Sequence, residues 1–258
     1  MPSFDQTPDL PVSFGHCVSW FAVSTSDPAR VVDALDLGEG TSANWASGLA
    51  AAAPTRASSM ASKESGPWIF VSPPVSGWTL IVGDWLPCPY ARTEQRADIG
   101  QKFDVLFSRL MKHFADVQFF TSNRVADFYV WARAQGGESK RVFTFGDGTV
   151  YENIGKQTPE EAKLKLANFS GLTASAAGEK FWELVKQQEA ERSAFIAKGL
   201  SFREAMKTVL RNGRSVFPNE RDVADLAELW SVNPEDLESE DHPVGLGWVF
   251  RLPESLKP

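Results

Sequence analysis

Apolar positions recur along the chain with two different periods, and those periods locate most of its elements. Residues 16–24 (HCVSWFAVS) are apolar on both alternating faces, with Val18, Trp20 and Ala22 on one and Cys17, Phe21 and Val23 on the other. That pattern predicts a central strand covered on both sides. Short apolar runs occur further on, at 68–73, 77–83, 117–122, 125–134 and 141–148. Pro73, Pro74, Ser76 and Gly77 separate the first two, and Ser122-Asn123, Gly136-Gly137 and Asp147-Gly148 mark turns within 117–153. Two strands joined by a turn, then an antiparallel meander, are expected there.

One segment breaks the strand rhythm. Over 98–114, Ile99, Phe103, Leu106, Phe107, Leu110, Met111 and Phe114 recur at spacings of three and four, which predicts an amphipathic helix. Asp27 followed by Pro28 reads as the cap and first position of another helix, running to about Leu37. The Gly-, Ala- and Ser-rich stretch 38–66 reads as a surface loop with a short helix over 41–52, ended by Pro54. Pro87 and Pro89 disfavour regular structure in 83–92.

The last third changes period. Thr158-Pro159-Glu160-Glu161 is a helix start, 179–198 is helical, and 220–230 places Val223, Leu226, Ala227 and Trp230 on one stripe. A final strand over 246–252 is expected to return to the sheet. The expectation is an α+β protein: an antiparallel sheet with helices packed on it over 1–155, then a mainly helical region over 156–258 closed by that strand. No internal repeat is visible.

Composition bounds the function classes. The 258 residues are 43% hydrophobic, with nine Trp and 18 Phe, enough for a large core and against whole-chain disorder. Net charge is −7, which suits a soluble protein, repels nucleic acid and anionic membrane, and attracts basic partners. The first residues, with Asp5 and Asp9 and no long apolar run, do not read as a signal peptide, and no run of about 18 apolar residues occurs. A cytoplasmic protein whose Cys17 and Cys88 are reduced is expected, and a bridge between them is not required.

The motifs that usually announce an enzyme are missing. There is no Gly-x-Ser-x-Gly elbow, no phosphate loop and no Gly-x-Gly-x-x-Gly, and the Gly-Asp-Gly of 146–148 suits a hairpin turn. His16, Cys17, Cys88 and His113 match no recurring metal-ligand spacing, so neither a metal nor a cofactor is expected. The carboxylate pairs Glu160/Glu161, Glu189/Glu191, Glu235/Asp236 and Glu240/Asp241 read as solvated faces, because neighbours in sequence do not thereby converge in a cleft.

The strongest chemical signal is a charge run. Residues 219–241 carry nine Asp or Glu against Arg221, a balance of −8. The segment 223–237 has the look of half a helix-turn-helix, but that charge has the wrong sign for DNA. Clustered carboxylates instead suit a cationic nucleic-acid groove on a partner protein. The candidate contact residues are Asp222, Asp225, Glu228, Glu235, Asp236, Glu238, Glu240 and Asp241, with Trp45 and Trp85 as possible aromatic anchors in loop-like segments.

The order of features resembles a known family. GWTLIVG and LP precede the amphipathic helix, VQFFTSNRVADFYVWARAQGGESKRVFTFGDG comes after it, and FPNE, DVADLAELWSVNP and a closing GW complete the pattern. This is similar to the bacterial immunity family paired with restriction-endonuclease-like toxins (the Tox-REase-5 group, immunity family 52). The resemblance covers about 68–155 and 216–250, and Trp78, Trp131, Arg141 and Trp230 match as scaffold positions. It implies a cytoplasmic α+β protein without enzymatic activity that binds and neutralises a cognate, type VI-secreted nuclease toxin. The expected partner is that toxin, with no nucleic acid and no membrane. An enzyme of unrecognised type with an acidic cleft, and a DNA-associated regulator, are the alternatives.

Overall fold

The computed structural model describes residues 4–53, 66–90, 97–212, 215–239 and 241–256. Among them are nine strands in one antiparallel sheet and seven α-helices, so the architecture is α+β. In chain order the strands are β1 (Val18–Val23), β2 (Thr41–Ala43), β3 (Trp68–Val71), β4 (Thr79–Val82), β5 (Asp116–Asn123), β6 (Phe128–Gln135), β7 (Glu138–Gly146), β8 (Thr149–Gly155) and β9 (Gly247–Arg251). Their order across the sheet is β2-β9-β3-β4-β1-β5-β6-β7-β8.

β1 is the middle strand, and all six of its residues are buried. Its alternation sends Phe21 and Val23 to one face and Trp20 and Ala22 to the other, where they join two separate apolar cores. Register places Trp20 opposite Phe120 and Phe21 opposite Phe119. The first pair stacks at 5.1 Å between ring centroids, so the aromatic side chains of neighbouring strands fill each layer together.

Helices cover both faces. α1 (Pro28–Leu35) and α3 (Ala97–His113) lie over the Phe21 side, and α3 buries Phe103, Leu106, Phe107 and Leu110 as its periodicity requires. α2 (Trp45–Ala52), α5 (Ala174–Ala197) and α7 (Glu220–Trp230) lie over the Trp20 side. The short α4 (Pro159–Lys163) opens with a capping box in which Thr158 and Glu161 satisfy each other's backbone donors. Glu161 is itself buried and receives Arg141 Nε at 2.9 Å and Trp131 Nε1 at 2.9 Å. A buried ion pair therefore ties α4 to β7, and the Trp131 hydrogen bond ties it to β6.

Two expectations change. The helix expected over 41–52 begins only at Trp45, because Thr41–Ala43 pairs with β9 and Asn44 caps α2. That pairing joins positions about 200 residues apart, so no local pattern carries it. Trp45 is not in an exposed loop either. It is fully buried against Phe70, in a helix that approaches the sheet closely at Gly48, where a Cβ would lie 2.3 Å from the Phe70 ring. The remainder of the 38–66 loop, from 54 to 65, lies outside the described residues. The closing strand does return to the sheet, as β9 between β2 and β3.

Candidate functional site: an acidic end face

α7 starts at Asn219, whose side chain accepts from the Arg221 and Asp222 amides. Asp222 completes this cap, accepting from the Asn219 amide at 3.0 Å and its side-chain nitrogen at 2.8 Å. Asp222 is 1% exposed and serves the helix start, so burial takes it out of the partner-facing set.

The other carboxylates do not form one patch by virtue of their order. Glu228, Asp236, Glu238 and Asp241 are exposed, and Asp225 and Glu235 are half-buried. Asp225 lies 3.7 Å from Arg221 Nε, and Asp236 accepts from Asn233 Nδ2 at 2.6 Å. Glu238 accepts from the Ser13 amide at 3.0 Å while Ser13 Oγ accepts from the Glu238 amide, which pins 12–16 against the acidic loop. Glu240 lies outside the described residues. Trp85 is 43% exposed in the turn after β4, whereas Trp45 is sealed in the core.

What the fold assembles is a focus that includes residues the sequence did not single out. His16 Nδ1 lies 3.3 Å from Glu220 and 3.6 Å from Glu235, so two carboxylates from different segments converge on one imidazole. Arg124, in the β5–β6 turn, reaches Glu220 at 3.6 Å. Gly15 allows the approach: its φ is +132°, and a Cβ there would stand 3.0 Å from the Glu235 side chain. On β6 the Tyr129 phenol is pushed up to about 12 by burial, with Asp127, Glu220 and Asp222 adding to the shift. His16, Arg124, Asp127 and Tyr129 are far from the 219–241 run in sequence, and no spacing rule links them to it.

Glu235 registers the crowding. Burial raises its carboxyl above the ordinary 4.5; His16 opposes this, while Glu220, Asp236 and Asp225 reinforce it. A folded value above the unfolded one means that the stability Glu235 contributes is present below about 4.5 and lost as pH rises through the folded value. Glu235→Gln, neutral throughout, is therefore expected to melt higher than the wild type near pH 7, with the gap closing by about pH 4. Thermal melts of both proteins at the two pH values check this; an equal or lower melt at pH 7 contradicts it.

No family model, curated protein or solved structure matches the chain.

A second region invites the same chemical reading. A cavity of about 600 Å³ opens at one end of β1 and β5, lined by Cys17, Ser19, Cys88, Tyr90, Thr121 and Asn123 among others. Ser19 Oγ and Thr121 Oγ1 are 2.9 Å apart, and Cys88 Sγ lies 3.5 Å from Thr121 Oγ1. Ser19, Thr121 and Cys88 bond to one another, and Asp84 is the carboxylate that shares their cavity. Burial pushes the Cys88 thiol up, which keeps it protonated and a poor nucleophile. Cys88 is expected to alkylate at least about tenfold more slowly in the native protein than in denaturant, read by peptide mass mapping. Equal rates would mean that the thiol is open to solvent. Among the described residues, no group of three or more His, Cys, Asp or Glu side chains is arranged to hold a metal ion. Among them too, no helix is long and apolar enough to cross a membrane.

Proposed function

We propose that the chain is an immunity protein that neutralises a cognate nuclease toxin, type VI-secreted, in the cytoplasm of the producing cell. It binds rather than catalyses, and it needs no cofactor. The observation that carries this reading is the convergence of Glu220 and Glu235 on His16, with Asp225 and Asp236 near enough to act on the Glu235 carboxyl. A nuclease must present a cationic groove to phosphates, and preorganised carboxylates held at α7 and the 231–241 loop meet such a groove without further ordering. The resemblance of 68–155 and 216–250 to the immunity family supports the same partner class. Occlusion of the active site or substrate groove results if the toxin's cations dock on this face.

The test is co-purification. Tagged protein is expected to elute with the product of the neighbouring gene in stoichiometric amount, and that product is expected to lose DNA cleavage when bound. An empty eluate at gentle salt, or a partner that cleaves DNA equally well in the complex, overturns the reading.

One observation favours a second reading. Glu235, its carboxyl raised by burial and set with Glu220 against His16, has the disposition of a general acid. An enzyme built on that pair would hydrolyse a small substrate with a pH profile that Glu235→Gln abolishes. The immunity reading instead expects no hydrolysis by either protein and weaker toxin binding by the variant, which separates the two.

A further inference from the structure

We propose that the cavity at the end of β1 and β5 binds an uncharged, single-ring aromatic molecule bearing a carboxamide. Its volume, about 600 Å³, lies in the range of small-ligand sites, whereas well-packed interiors leave few voids larger than a water molecule. The wall suits a ring. Tyr90 stacks on Phe128 at 5.1 Å between centroids, and Leu86 adds apolar surface.

Asn123 supplies the hydrogen-bond donor. It ends β5 and, by strand alternation, shares a face with Thr121. Its Oδ1 accepts from the Val125 and Ala126 amides, each at 3.1 Å. Two backbone donors on that atom fix it as the oxygen, so the other side-chain atom is the nitrogen. Nδ2 carries two N–H groups and meets no acceptor among the described residues. Asn123 is half-buried and lines the cavity, so a ligand carbonyl can take this donor. Ser19, Thr121 and Cys88 supply the opposite function. Ser19 Oγ and Thr121 Oγ1 share one hydrogen bond, and Cys88 Sγ lies 3.9 Å from the first and 3.5 Å from the second. The hydroxyl protons are thus used within the trio, and oxygen lone pairs remain for a ligand N–H. A carboxamide offers one acceptor and two donors, which matches both ends of this lining.

Charge narrows the class further. Among the described lining residues Asp84 is the one ionised at neutral pH, and none is cationic. An anionic ligand would face that carboxylate without a counter-ion. A cationic ligand would gain Asp84 but offer nothing to the Asn123 donors.

Nicotinamide is the probe, titrated into the isotopically labelled full chain by heteronuclear NMR, with no toxin present. The expected dissociation constant is about 1 mM for a ligand of this size, with shifts confined to the amides of 17–19, 84–90 and 121–128. Nicotinate, which keeps the ring and carries a carboxylate, and benzylamine, which carries an ammonium, are each expected to bind at least about tenfold more weakly. Asn123→Asp keeps the oxygen that holds the turn and replaces the Nδ2 donors with an acceptor. It is expected to melt with the wild type and to bind nicotinamide about tenfold more weakly or worse. The proposal is overturned by an absence of shifts at about 20 mM nicotinamide, or by shifts scattered over the surface. Equal binding of nicotinate or benzylamine overturns it too, as does an Asn123→Asp protein that folds and binds nicotinamide as well as the wild type.

Discussion

Glu161→Ala is expected to lower folding stability by about 3–5 kcal/mol, the usual cost of stripping one partner from a buried ion pair. The Glu161 carboxylate is 1% exposed and the Arg141 side chain 2%. With Glu161 gone, Arg141 Nε and Trp131 Nε1 lose their acceptor, the Thr158 amide loses its cap, and a guanidinium is left in an apolar layer. Arg141 keeps Asn153 and the Ile154 carbonyl, so the charge is not wholly abandoned, which argues for the lower half of that range. The melting temperature should fall by roughly 10 °C for a chain of this size. Replacing both Arg141 and Glu161 by Met should recover much of the loss, because no uncompensated charge then remains. Calorimetry on the three proteins checks this. A single variant that melts within about 2 °C of the wild type would show that the pair contributes nothing.

The combined substitution of Glu220, Asp225, Glu235 and Asp236 by Ser is expected to weaken toxin binding by about 100- to 1,000-fold, or about 3–4 kcal/mol. The loss should appear largely in the association rate, and the remaining affinity should depend far less on salt, since the steering field has been removed. Fold is expected to survive, because these four groups are exposed or half-buried, whereas Asp222 is a buried cap and is left in place. Removing Glu228 and Asp241 instead should cost far less, as neither is paired with His16 or Arg124 at the focus of the face. Titration calorimetry or surface-binding kinetics at two salt concentrations reads both effects. Unchanged affinity in the fourfold variant would move the interface away from this face, with exposed Trp85 and Val125 the next residues to replace.

The fold was largely legible because its elements depend on local pattern. β1 alternates with both faces apolar, α3 repeats at three and four, and Asp27 and Thr158 start helices through side chains only a few residues away. The face of α7 was readable for the same reason, and so was the acidity of 219–241. Burial was the harder quantity. Trp45 stands in an Ala- and Gly-rich stretch, and long-range contacts set it inside: Thr41–Ala43 pairs with β9 and the Trp45 amide donates to Asp9.

By itself the sequence determined an α+β protein with a central doubly covered strand, an acidic segment near its end and no familiar catalytic motif, because periodicity and charge are local properties of a chain. Tertiary structure alone decided which carboxylates meet. It placed His16 between Glu220 and Glu235, brought Arg124 to Glu220, set Tyr129 among acidic neighbours and withdrew Asp222 into a helix cap. The physical reason is that electrostatic coupling falls with distance in space, and distance in space is fixed by long-range strand pairing that sequence separation does not reveal.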